Sequence, residues 1–217
     1  MRTDAEVKAD VLSELAWEPD LDANRIAVAV RDGVVTLTGH VDSLQQRWVA
    51  EKTTQKVLGV RAVADDLEVR LPALAERTDA EIVEAIRLAL HYELGDGADA
   101  VRVLVSAGHV RLEGEVDKYP DRERAGRVVR RALGAKSLIN AVTVRTTPVA
   151  DDIHDRIADA LTRSAIVDAA GVEVAVEGGK ATLSGWVRSW AEMRAAEEAA
   201  WQAPGVTEVE NRIAIGI

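Results

Sequence analysis

Three sets of glycines recur in fixed register along the chain: Gly33, Gly39 and Gly59; Gly108, Gly114 and Gly134; Gly179, Gly185 and Gly205. In every set the second glycine follows the first by 6 residues and the third follows the second by 20, although most other positions differ between copies. Such spacing marks an internal repeat, which decides domain count before any single residue is weighed. Copy two starts 75 positions after copy one and copy three 71 after copy two, so the four-residue difference belongs to the joint near Pro148. The expected units are residues 1–76, 77–148 and 149–217. At 217 residues and 47% apolar, the chain has material for several small cores rather than one large one.

One copy reads as α-β-β-α-β. Thr3-Asp4-Ala5-Glu6, repeated as Thr78-Asp79-Ala80-Glu81, has the form of a capping box, in which the threonine and the residue three later satisfy each other's free N–H groups. Behind it, apolar residues fall at i, i+4 and i+8: Val7, Val11, Leu15; Ile82, Ile86, Leu90; Ile153, Ile157, Leu161. That is the buried stripe of a helix of three to four turns. Two β-rich runs then flank Asp32-Gly33, as in a hairpin whose turn needs positive φ; copies two and three turn at Gly108 and across Gly178-Gly179. Gly39, Gly114 and Gly185 close the second strand, where glycine points to a bulge or a close backbone approach. A second helix is expected over about 43–58, 119–133 and 189–203, with Gly59, Gly134 and Gly205 as its left-handed C-caps. A final strand follows each. Two helices are too few to cover both faces of three strands, so the expected fold class is α/β (α+β), with both helices packed on one face of each three-stranded sheet.

Charge narrows the function classes. The net charge is −10, but residues 1–76 hold 9 basic and 14 acidic groups, 77–148 hold 12 and 11, and 149–217 hold 6 and 12. An acidic whole argues against nucleic acid, whose binding depends on neutralising phosphates. With no cysteine, disulfides and thiolate metal sites are ruled out. The N-terminus runs straight into an acidic amphipathic helix without the features of a signal peptide or lipid anchor, and no apolar run reaches the length of a transmembrane segment, so the cytoplasm is the expected location.

The unit length, the turn glycine, the Gly-x-Val closing the second strand and the glycine before the last strand together resemble the BON domain, the bacterial OsmY and nodulation module. The residues are Gly33, Gly39-His40-Val41 and Gly59-Val60; Gly108, Gly114-Glu115-Val116 and Gly134; Gly179, Gly185-Trp186-Val187 and Gly205-Val206, with Ala135 as the one departure. The resemblance spans nearly the whole chain. It implies a non-enzymatic binding or scaffolding protein linked to osmotic and envelope stress, contacting a phospholipid surface or a protein partner; the alternative it implies is a cytoplasmic potassium sensor that binds the ion through backbone carbonyls.

The residues themselves point the same way. His40, His91, His109 and His154 do not recur between copies and form no ligand pair on one helical turn, so no metal or other cofactor is expected. No nucleophile motif or phosphate loop is present, so no catalytic residues are assigned. The distinctive feature is the second helix of copy two, where Arg124, Arg127, Arg130 and Arg131 take one side and Ala125, Val128, Val129 and Ala132 the other. That side would meet an anionic headgroup, an acidic partner, another copy of the chain, or the acidic first and third units. Five tryptophans with no phenylalanine are unusual, and no two share a repeat position. Trp186 and Trp190, in copy three, are therefore assigned to contact surfaces rather than to a repeated core.

Overall fold

The computed structural model describes residues 2–145, 153–163, 171–203 and 205–216. The first unit runs α1 (Asp4–Trp17), β1 (Ile26–Arg31), β2 (Val34–Val41), α2 (Leu44–Gln55) and β3 (Ala62–Val69). The second runs α3 (Asp79–Leu94), β4 (Val101–Ser106), β5 (His109–Val116), α4 (Tyr119–Arg131) and β6 (Ser137–Val144). The third runs α5 (Ile153–Arg163), β7 (Val172–Glu177), β8 (Lys180–Val187), α6 (Trp190–Gln202) and β9 (Glu208–Ile215).

In every unit the middle strand in sequence is the central strand in space, antiparallel to the first and parallel to the third. The parallel pair requires a crossover, and the second helix supplies it. Val7, Val11 and Leu15 of α1 and Ala50 of α2 meet Ile26, Val28, Val35 and Leu37 in one core, so both helices cover the same sheet face. Burying one such side chain stabilises by about 1.5–3 kcal/mol, and the same stripe recurs from α3 and α5 over the other two sheets.

The first helices begin as expected. Thr3 Oγ1 accepts from the Glu6 N–H at 3.3 Å, and the Glu6 carboxylate accepts from the Thr3 N–H at 2.7 Å; Thr78 and Glu81 repeat the pair at 3.3 and 2.8 Å. The aspartate between them has a role the sequence reading missed. Asp4 accepts from the N–H groups of Asp32 and Gly33 at 2.9 and 3.0 Å, and Asp79 accepts from those of Ala107 and Gly108 at 2.8 and 2.9 Å. Each carboxylate thus holds a hairpin turn whose first residue, Asp32 (φ 52°) or Ala107 (φ 51°), lies in the left-handed region. In the third unit the turn is Gly178-Gly179, which takes positive φ freely; the matching position in sequence is Ala150, without a carboxylate, and it lies outside the described residues.

Gly39, Gly114 and Gly185 mark a close approach. A Cβ on any of them would collide with the carbonyl oxygen of Arg25, Ala100 or Gly171, the residue entering the first strand. The third glycine of each set is not a helix cap. α2 ends at Gln55 with Lys56 as its C-cap, and α4 and α6 close at Ala132 and Ala203. Gly59, Gly134 and Gly205 lie in the turn beyond, at φ 96°, 86° and 93°. α2 stops short of its expected bound at residue 58, and Val57 and Val60 pack in the core beyond its end. A Cβ on Gly59 or Gly134 would meet the side chain of Val7 or Ile82 on the first helix.

The units pack on one another through their second helices. Leu44, the first residue of α2, enters the core of unit two. Tyr119, the first of α4, stacks on Trp201 near the end of α6, with ring centroids 4.3 Å apart and planes within 8°. Trp190, the first of α6, packs against the core of unit one. Leu44, Tyr119 and Trp190 occupy the same repeat position, and so do Gln55, Arg130 and Trp201. The three helices therefore meet head to tail around a pseudo-threefold axis.

Candidate functional site

Of the openings that the arginine-bearing helix α4 borders, the two larger ones gather its arginines. The first is a groove of about 480 Å³ between α3 and α4. Ala85, Ile86, Ala89, Val128 and Ala132 line it with apolar surface, and at its edge Arg77, Arg124, Arg127 and Arg131 outnumber Glu81 and Glu93. Arg127 and Arg131 are exposed and make no ion pair among the described residues. Arg124 is half-buried: it pairs with Asp121 one turn earlier and donates to the Glu93 carbonyl at 3.4 Å, and its Nε is buried with no partner among the described residues. Tyr92 (80% exposed) and Leu133 (55% exposed) project beside the groove. Large apolar side chains exposed next to unpaired cations make an amphipathic surface.

The second opening, about 630 Å³, lies on the pseudo-threefold axis between α2, α4 and α6. Arg130 belongs here rather than to an outer face. Its guanidinium lies 4.9 Å from the ring centre of Trp48 on α2, a cation–π contact between units. Burial lowers the pKa of Arg130, and the charges of Arg127 and Arg131 lower it further against the opposing pull of Glu123. The Tyr119 hydroxyl is pushed up to about 12, first by burial and then by the negative charges of Glu123 and of Glu197 from unit three.

The four arginines read as one basic face are thus divided: Arg124 faces the groove, Arg130 faces unit one, and Arg127 and Arg131 border both openings. The two tryptophans are divided as well. Trp190 is half-buried between units three and one, with an indole N–H that has no acceptor among the described residues. Trp186 stands 55% exposed on the outer face of β8. The shared position of Leu44, Tyr119 and Trp190 escaped the sequence reading, which compared tryptophans only with tryptophans. The available signal was an apolar or aromatic residue at the start of each second helix. The histidines are scattered, with His109 against Ser137 at 2.7 Å and His154 against Asp155 at 3.0 Å; among the described residues no three His, Asp or Glu side chains converge as metal ligands.

Three consecutive αββαβ units with these glycine positions match the BON domain over residues 3–70, 78–146 and 150–216. The chain belongs to the BON domain family. Among curated relatives, the osmotically-inducible protein Y of Escherichia coli (strain K12) is 29% identical over 141 residues, 63% of this BON chain and 70% of that protein. Among solved structures, CdsD, a structural protein of the type III secretion system of Chlamydia trachomatis, is 13% identical and covers 96% of this chain and 91% of its own, with a TM-score of 0.28. The PrgH periplasmic domain is 13% identical over 95% of this chain and all of its own, with a TM-score of 0.22. Those scores are too low to relate the arrangement of the three BON units to either structure. Among the described residues, no helix of this BON protein is long and apolar enough to cross a membrane.

Proposed function

We propose that this BON protein is a non-enzymatic binding protein of the osmotic and envelope stress response, and that its second unit docks on anionic phospholipid through the groove between α3 and α4. The observation that carries the reading is the apolar groove edged by Arg77, Arg124, Arg127 and Arg131, with Tyr92 and Leu133 projecting beside it. An anionic amphiphile matches both parts: its headgroup meets the guanidinium groups and its apolar portion meets the floor. Each basic side chain near an anionic bilayer contributes about 1 kcal/mol. Tyrosine and leucine are suited to the interface below, since tyrosine has an apolar ring and a polar tip. The likeness to osmotically-inducible protein Y supports the link to osmotic stress. The acidic excess of units one and three supports a defined orientation, because an anionic bilayer repels both and attracts the second.

Vesicle co-sedimentation tests the reading. Vesicles rich in phosphatidylglycerol should bring the protein down at low ionic strength, phosphatidylcholine vesicles should not, and added salt should release it as the screening length shortens. Equal recovery with both lipids, or none with either, would refute it.

A further inference from the structure

We infer that the opening on the pseudo-threefold axis is a second binding site, for a compact polyphosphate anion. It belongs to no single unit, because its walls come from α2, α4 and α6, and it is distinct from the groove between α3 and α4. In a protein of net charge −10, five cations face three carboxylates around this opening. Arg127, Arg130 and Arg131 of unit two and Arg194 of unit three make no ion pair among the described residues. Of the three carboxylates, Glu123 also pairs with Arg122 at 3.5 Å, and Glu197 also accepts from Asn211 at 3.3 Å. Burial is the first cause of the lowered pKa of Arg130 and Glu123 opposes it, while Arg127 and Arg131 add the repulsion that a multiply charged anion would relieve.

Phosphate is the chemistry that best fits this set. A guanidinium presents a planar fork of donors that pairs with two phosphate oxygens at once, and several forks at one opening favour a chain of phosphates over a single small anion. The buried indole N–H of Trp190, in the same wall, is a further donor without an acceptor among the described residues. Since Arg194 and Trp190 belong to unit three and the other arginines to unit two, the anion would hold unit three against the rest and stabilise the assembled chain.

The test is isothermal titration of the full-length protein with inorganic tripolyphosphate and, separately, with ATP at low ionic strength, with melting curves alongside. Saturable binding of tripolyphosphate near one per chain and a rise in melting temperature are expected; ATP binding in competition would make a nucleotide the source of the phosphates, and tripolyphosphate alone an inorganic one. Arg194→Ala, an exposed residue, should weaken binding at least tenfold with its unliganded melting temperature unchanged, while Arg124→Ala, which borders only the other groove, should bind as the unaltered chain does. No saturable binding of either ligand, or equal loss in the Arg124 and Arg194 variants, would overturn the proposal.

Discussion

At the edge of the groove between α3 and α4, the second helix supplies Arg124, Arg127 and Arg131; unit three has Ala195, Glu198 and Gln202 at the same repeat positions, and unit one has Val49, Lys52 and Lys56. The counterpart groove in unit three, about 390 Å³, is lined by Arg156, Asp159 and Arg163 of α5 against Ala199 and Gln202 of α6 and its C-cap Ala203. Two buried positions beneath hold a small side chain in all three copies: Ala125, Ala196 and Ala50 at one, and Val129, Ala200 and Thr54 at the other. The comparison separates two demands on one helix. Its inner side must fit a sheet, so it repeats; its outer side answers only to what it touches, so three copies of one fold display three different surfaces.

The shared frame can be broken at its glycines, where the largest effect is expected. Gly114→Ala and Gly185→Ala each place a Cβ against a backbone carbonyl at positive φ, and each should destabilise its unit by more than about 3 kcal/mol in chemical denaturation. A cost in one unit but not the other would mean that the frames are not equivalent. Next comes the surface difference. Rewriting unit two as unit three with Arg124→Ala, Arg127→Glu and Arg131→Gln should weaken binding to anionic vesicles by about a hundredfold, at roughly 1 kcal/mol per cation, without altering the far-ultraviolet spectrum. Retained vesicle binding would place lipid contact elsewhere on the molecule.

The turns sharpen the comparison further. Asp79→Ala deprives two turn N–H groups of their acceptor and should cost about 1–2 kcal/mol by denaturant titration. Ala107→Gly should recover about 0.5–1 kcal/mol, since it gives unit two the glycine pair that unit three already has. If Ala107→Gly destabilises, the left-handed turn is not the source of strain. The smallest effect is at the caps. The Thr78 backbone N–H, then its hydroxyl, holds the Glu81 carboxyl below the ordinary value of 4.5. A lowered folded pKa stabilises above the unfolded value and is lost as pH falls through the folded one. The melting-temperature difference between the unaltered chain and Glu81→Ala should therefore be present at pH 7 and shrink steadily below pH 4.5. A difference independent of pH would show that the carboxylate charge is not what caps the helix.

Much of each unit was legible in the sequence because its causes are local or strictly repeated. The stripe Val7, Val11, Leu15 and its two echoes define a helix face by spacing alone, and Gly39, Gly114 and Gly185 announce a backbone approach at one place in three copies. The ends of the second helices were not legible. The apolar pattern continues through Val57 and Leu58, but Val57 packs in the core outside the helix while Leu58 is exposed. The binding surfaces were legible only in part: the arginines of α4 could be placed on one side of a helix, but not apportioned among a groove, a neighbouring tryptophan and an axial opening.

The sequence by itself determined three αββαβ units of one BON pattern and the uneven charge they carry, since helix period, turn φ and charge are properties of short stretches of chain. Only the tertiary structure decided that the second helices meet head to tail, that Arg130 lies over Trp48, and that Tyr119 stacks on Trp201. Those contacts join residues of different types at distant positions. Leu44, Tyr119 and Trp190 share one structural task, yet each packs against a different neighbour, so each side chain suits its own contact and no repeated residue is there to read.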